Sequence, residues 1–290
     1  MGIFRTIGEA RFYSSPNQAT GILLNDAQTR TLADTIDVST IFSKINIDSL
    51  VDVNELTQLL SKRNIEVRRV SERVHLHEAQ HQIISCKRYP LRQMLPAENK
   101  ELGVFIAESF PFPRKIRNIV NGILDLMSDS PKWMAVQLRI EDELVLFRPD
   151  GNAGFEAHVR NQLDQVLAIV SAHPGTHAVY IASGIREHKF ASVVKAIHET
   201  FPHLKLTMKT DILAGSPMLW EELQSLCLEE QALVDWLVCI NAPFFAGPHS
   251  SSFTYLAGYM RHYRGLDGAA THLWPEYQPY WDLWFPRLSL

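Results

Sequence analysis

WMAVQLRIEDELVLF, from Trp133 to Phe147, is the stretch on which the reading of the fold turns. It opens as a strand: Met134, Val136 and Leu138 alternate with Ala135, Gln137 and Arg139. It then meets charge at Arg139, Glu141, Asp142 and Glu143. A buried parallel strand with a fixed cation at its C-terminal end is where an open α/β sheet places its ligand. Arginine suits a phosphate there, because its planar fork of donors stays charged at any working pH. A surface ion-pair cluster at a strand end gives the same local pattern. The flanking sequence decides between the two.

Downstream, Pro149 to Gly154 reads as a loop, and residues 155–172 as a helix with Val159, Leu163, Val166, Leu167 and Val170 on one face. HAVYIA, His177 to Ala182, is a strand ended by Ser183-Gly184. A helix over 188–200 stops at Phe201-Pro202, and Leu204 to Met208 is a third strand. Helices over 219–227 and 229–240 lead to a short strand, Phe244 to Ala246. Alternating strands and helices predict a parallel sheet with helices on both faces. The tail, 270–290, is rich in Trp, Tyr and Pro and is expected to pack back across another domain.

Upstream the chain is harder to read. Asp52 caps a short helix, DVNELTQLL, and IEVRRV, Ile65 to Val70, alternates like a strand. Residues 71–85 read as helix or loop. Pro111 and Pro113 break the chain before an amphipathic helix over 114–127, where a domain boundary is expected. The division is 1–115 and 116–290.

A second signal is GPHSSSFTYLAGYMRHYRG, 247–265. A strand, a Gly-Pro turn and serines at a helix start form an anion site by construction: first-turn amides, the helix dipole and hydroxyls all favour a phosphate. Simple capping by Ser250 or Ser251 is the competing reading. With Arg139 at a neighbouring strand end, a diphosphate fits between them, and His249 is close enough to touch it.

Bulk composition excludes several classes. The chain has 290 residues, 46% hydrophobic and 21% charged, with a net charge of −4, so nothing calls for nucleic acid as partner. No run of 18 apolar residues suggests a membrane span. The N-terminus lacks the apolar core of a signal peptide, although Gly2 with Thr6 fits a myristoylation pattern. A cytoplasmic chain is the expectation, and a secretory-pathway chain trimmed of its targeting segment would read the same. Cys86, Cys227 and Cys239 do not form a disulfide framework, and Cys239 reads as a buried thiol. His77-Glu78-Ala79-Gln80-His81 satisfies H-E-x-x-H, the zinc-peptidase signature, with Glu101 as a possible third ligand. Its position beside His75 also suits a solvated histidine cluster.

Taken in order, several segments resemble the plant-type protein O-fucosyltransferase family. WMAVQLRIEDELVLF resembles its "fiAlHLRfExDMlaF" segment, and Val51 to Val70 its "FDvdxFixxLxxxVrvv". Cys86, Tyr89, Leu95 and Pro96 resemble "kCxxyYxxxxLP", and His177 to Pro202 resembles "vYiasGxxxxxxxLxxLxxxFP". QALVDWLV, Gln231 to Val238, and Phe244 to Gly265 resemble two further segments. The resemblance runs over roughly residues 40–265.

It implies a GT-B-like fold, two Rossmann-like domains facing across a cleft, with the C-terminal domain holding GDP-fucose. It implies inverting transfer to a protein or glycan hydroxyl, without metal or cofactor. Arg139 would support the leaving diphosphate, and Gly184, Asp235, Ser251, Ser252 and Phe253 would help bind the donor nucleotide. Gln137 stands where the family has histidine, and the family's Gly-rich, Asn-bearing N-terminal turn has only Asn17-Gln18 as a remnant. Gln137, Glu141 and His249 are accessory candidates. Other readings stay open: a rhamnose-type donor, a sugar-nucleotide-binding relative without transfer, the zinc hydrolase, and a scaffold protein.

Overall fold

The computed structural model describes residues 49–62, 104, 108–130, 132–147, 150–249, 251–266 and 268–274. Ile65 to Val70, residues 71–85, the H-E-x-x-H motif, Cys86 to Pro96, Asn17-Gln18, Ser250 and the tail beyond 274 lie outside them.

In chain order the elements are α1 (Val53–Ser61), α2 (Arg114–Ser128), β1 (Trp133–Gln137), a 3-10 turn (Asp142–Phe147), α3 (Gly151–Ala172), β2 (Ala178–Ala182), α4 (Glu187–His198) and β3 (Lys205–Thr207). There follow α5 (Lys209–Leu213), α6 (Pro217–Gln224), α7 (Leu228–Asn241), β4 (Phe245–Pro248), α8 (Ser252–Tyr263), a 3-10 turn (Gly268–Ala270) and β5 (Thr271–Trp274). The strands form one sheet in the order β3-β2-β1-β4-β5, every pair parallel.

Both faces are covered, which explains the continuous apolar runs in β1 and β2. On one face Met134, Val136, Leu138, Val179 and Ile181 meet Val166 and Val170 of α3 and Phe190, Val193 and Ile197 of α4. On the other, Ala135, Tyr180 and Phe245 meet α2, α7 and α8. In α2, Ile116, Ile119, Val120, Ile123 and Met127 repeat at helical spacing, and all are buried. Burying each such side chain contributes roughly 1.5–3 kcal/mol.

Strand order reverses between β1 and β4. The helices after β1 and β2 lie on one face, and α7 and α8, flanking β4, lie on the other. The carboxyl ends of β1 and β4 therefore flank the topological switch point, where such sheets bind ligands.

Several details differ from the sequence reading, among them Gly247 and Pro248, read as a turn, which close β4 in register with Leu273 and Trp274. Helix α3 starts at Gly151, not 155, because Gly151 adopts a positive φ of 54° and turns the chain directly into the helix. Residues Thr271 to Trp274, read as tail, form β5 in register with β4, from Phe245↔Thr271 to Pro248↔Trp274. Leu273 and Trp274 are buried there, so their apolar bulk closes the sheet edge. Residues 209–213 add the short helix α5 between β3 and α6.

Around the expected boundary, α2 belongs with this sheet, packed on α7. Helix α1 is capped as expected, Asp52 accepting from the Glu55 amide at 2.9 Å, and the Asp52 amide donates to the Pro111 carbonyl at 2.9 Å. Arg117 of α2 also pairs with Glu55 of α1 at 3.4 Å, so α1 is joined to α2.

Candidate functional site

The site grows out of the end of β1. Alternation places Leu138 and Ile140 on the α3 face. Gln137 lies on the opposite face, toward α8. Gln137 Oε1 accepts from Thr254 Oγ1 at 2.8 Å, and Thr254 lies in the first turn of α8. Arg139 lies two residues beyond the end of β1, with its side chain about a third exposed. Its carbonyl accepts from His158 Nε2 of α3 at 2.6 Å, which assigns the proton to Nε2.

Glu141 occupies the neighbouring position. Its Oε1 accepts from Ser183 Oγ at 3.3 Å and from the Gly184 amide at 3.2 Å, both just beyond β2. Its Oε2 stands 3.8 Å from Arg139 Nε. Asp142, further along, pairs with Lys189 of α4 at 2.5 Å. Thus the charged run after β1 splits: Arg139 and Glu141 stay at the strand ends, while Asp142 reaches outward.

The second wall is the start of α8. Ser251 is its N-cap, and its side chain makes no capping hydrogen bond. Ser252, Phe253 and Thr254 supply the first-turn amides, which have no partner within the helix. Simple capping by Ser251 is therefore not what the structure shows. Phe253 is buried in the core, and its carbonyl accepts from Trp236 Nε1 at 3.2 Å, fixing the turn. His249 is bound to β5: its amide and its Nδ1 donate to the Trp274 carbonyl at 2.9 and 3.0 Å.

Gly247 lets these two walls approach. A Cβ there would lie 2.8 Å from Thr254 Cγ2 and Oγ1 and 3.2 Å from Gln137 Cβ. Thr254 is branched and helical, so the whole first turn would have to move. Gly247→Ala is expected to lower stability by about 1–3 kcal/mol. Urea unfolding checks it, and a midpoint within error of the parent would contradict the close approach.

Asp235 sits elsewhere. It is buried on α7, with Oδ1 accepting from Tyr180 Oη at 2.6 Å and Oδ2 from Lys209 Nζ at 2.6 Å. Both oxygens are committed to core groups, so the nucleotide role expected for Asp235 would need this pair to open. Burial pushes the Asp235 carboxyl above its ordinary value, opposed by Lys209 and Tyr180. Lys209→Met should cost about 3–5 kcal/mol at neutral pH, because an ionised carboxylate is left buried without its cation. A raised native pKa means the native state binds the proton more tightly than the unfolded chain. The variant should therefore regain stability as pH falls through that raised value. Denaturant midpoints across the acidic range decide this, and a loss that grows on acidification would contradict it.

Of the residues named from the sequence, the structure joins Gln137 to the first turn of α8 and Glu141 to Arg139 and the end of β2. Sequence reasoning missed Thr254, His158 and Ser183. Thr254 lay inside a recognised motif but without a role, and nothing in the spacing of His158 or Ser183 marked them. Among the described residues no group of His, Cys, Asp and Glu could hold a metal ion, and no helix is long and apolar enough to cross a membrane.

The topology and this strand-end constellation define an open, doubly wound α/β protein with an arginine and a helix N-terminus at its switch point. No protein-family model matches the chain, and no curated protein matches it significantly. Two crystal structures of POFUT1 in complex with GDP are similar to it. One has 14% identity and a TM-score of 0.36, with 60% of this chain and 51% of that one covered. The other has 15% identity and a TM-score of 0.35, with 59% and 49% covered. The chain thus spans about half the length of these neighbours.

Proposed function

We propose that the chain binds a nucleotide diphosphate sugar, GDP-fucose or a related deoxysugar donor, at the ends of β1 and β4 and transfers the sugar to a hydroxyl. The observation that carries this reading is Arg139, two residues beyond Gln137 at the end of the strand where Gln137 holds the first turn of α8. A diphosphate between that guanidinium and those amides would meet charge-assisted donors on two sides. As the C1–O bond breaks, the leaving diphosphate gains negative charge, which preorganised donors stabilise without reorganising. The sequence resemblance supplies the donor class and the inverting, metal-independent course. A GT-B arrangement with an acceptor-side domain over 1–115 belongs to the same proposal.

A binding protein without transfer is the second reading. Gln137 favours it: at the position of the family's histidine stands a neutral side chain, 4% exposed and bonded to Thr254. Here it acts as a strut between β1 and α8, and its amide offers no titratable proton.

Incubation with GDP-fucose and, separately, with UDP-sugars, monitored for nucleotide release over a panel of hydroxyl acceptors, tests the proposal. Release of GDP with sugar transfer supports the enzyme. GDP binding without release supports the second reading. Stoichiometric zinc, lost when His77 or His81 is replaced, would overturn both in favour of a hydrolase.

A further inference from the structure

We infer that Glu141 is a positioning residue for Arg139, holding its guanidinium by the Nε edge so that both Nη groups face the anion. The inference deepens the donor-site reading and rests on it for the identity of that anion. Glu141 is 9% exposed, and its Oε2 is buried without a hydrogen-bond partner. An unsatisfied buried carboxylate oxygen is costly, and a native structure that keeps one needs a reason for it. The reason is geometric. Ser183 Oγ and the Gly184 amide hold Oε1 from the end of β2, so the carboxylate is placed independently of Arg139. The second oxygen is thereby presented to Arg139 Nε at 3.8 Å, an ion-pair distance longer than a hydrogen bond. A shift of about 1 Å in the guanidinium would close it to hydrogen-bond length. A diphosphate drawing on the two Nη groups supplies the pull for that shift. Such an arrangement spends the Nε–H on Glu141 and directs the bidentate edge to the ligand.

Glu141→Gln tests this, because the amide keeps an oxygen for Ser183 and Gly184 but turns an NH2 toward the Nε–H. Two measurements are made on the full chain. The first is the ¹⁵N signal of Arg139 Nε–H, assigned by its loss in Arg139→Lys. Exchange moderately slower in the parent than in Glu141→Gln, as charge attraction at 3.8 Å without a hydrogen bond allows, and slowed further by GDP in the parent alone, is expected. An Nε–H signal with the same exchange rate in parent and Glu141→Gln overturns the inference whether or not GDP binds. The second is a double-mutant cycle on GDP affinity. Glu141→Gln should weaken GDP binding about ten- to hundredfold in the parent, the range a charge-assisted hydrogen bond commands. In the Arg139→Ala background it should have little further effect. Equal losses in both backgrounds would mean that Glu141 merely supports the fold, and would overturn the positioning role. If the parent binds no GDP, the donor reading fails, and the Nε–H exchange alone decides the inference.

Discussion

Arg139→Ala is expected to lower kcat for the proposed sugar transfer by about 10²–10³, the loss typical of removing one preorganised donor from an oxyanion-type site. On the proposed donor reading the ground-state diphosphate is already anionic, and the first-turn amides of α8 would satisfy part of it. In the transition state the bridging oxygen would gain further charge, and the guanidinium would answer that increment. The loss should therefore appear in kcat as well as in nucleotide affinity. Arg139→Lys retains little, since an ammonium is a point charge with a different reach and cannot hold two oxygens at once. Gln137 does not substitute: it is neutral, and its oxygen is bonded to Thr254. Steady-state kinetics on the alanine variant check this. An unchanged kcat with only KM raised would reduce Arg139 to a binding group.

Arg261→Met is expected to destabilise the fold by about 3–5 kcal/mol, because several buried carbonyls lose their donor at roughly 1–3 kcal/mol each, a large share of a typical domain's stability. Arg261 is completely buried in the last part of α8. Its Nη1 donates to the carbonyls of Cys239, Ile240 and Ala242 at 3.2, 3.2 and 2.7 Å. Its Nη2 reaches the carbonyls of Pro243 and Ala270 at 3.5 and 2.7 Å, and its Nε donates to Thr271 Oγ1 at 2.8 Å. Cys239 and Ile240 close α7, whose last carbonyls lack partners within the helix. One side chain thus ties the end of α7, the approach to β4 and the start of β5. Burial pushes its guanidinium down to about 10, so it stays charged at neutral pH. Methionine fills similar volume but leaves those carbonyls buried without donors. Denaturant unfolding measures the loss. A change below about 1 kcal/mol would show that water or rearrangement replaces the contacts.

The sequence shows most clearly where local pattern and burial agree. Met134, Val136 and Leu138 read as strand because β1 is buried on both faces, and Ile116 to Met127 read as helix because a single face is buried. What stayed hidden depends on partners distant along the chain. Gln137 reads as a polar site residue, yet its partner Thr254 is 117 residues away. Asp235 reads as a ligand group, but Lys209 and Tyr180 meet it only when α7 packs beneath β2. Strand β5 is four residues long, too short for alternation to stand out from the aromatic tail. Arg261 lies in a recognised segment, and its role is set by carbonyls at the ends of other elements.

Calorimetric titration of GDP into the parent chain and into Arg139→Ala tests the central claim most directly. The parent should bind one GDP per chain with a micromolar Kd and in preference to UDP, and binding should raise Tm through stabilisation of the native state. Arg139→Ala should bind at least about tenfold more weakly, as expected for a lost charge-assisted contact. No heat with GDP, or equal affinity in the two proteins, would contradict a diphosphate site at the ends of β1 and β4.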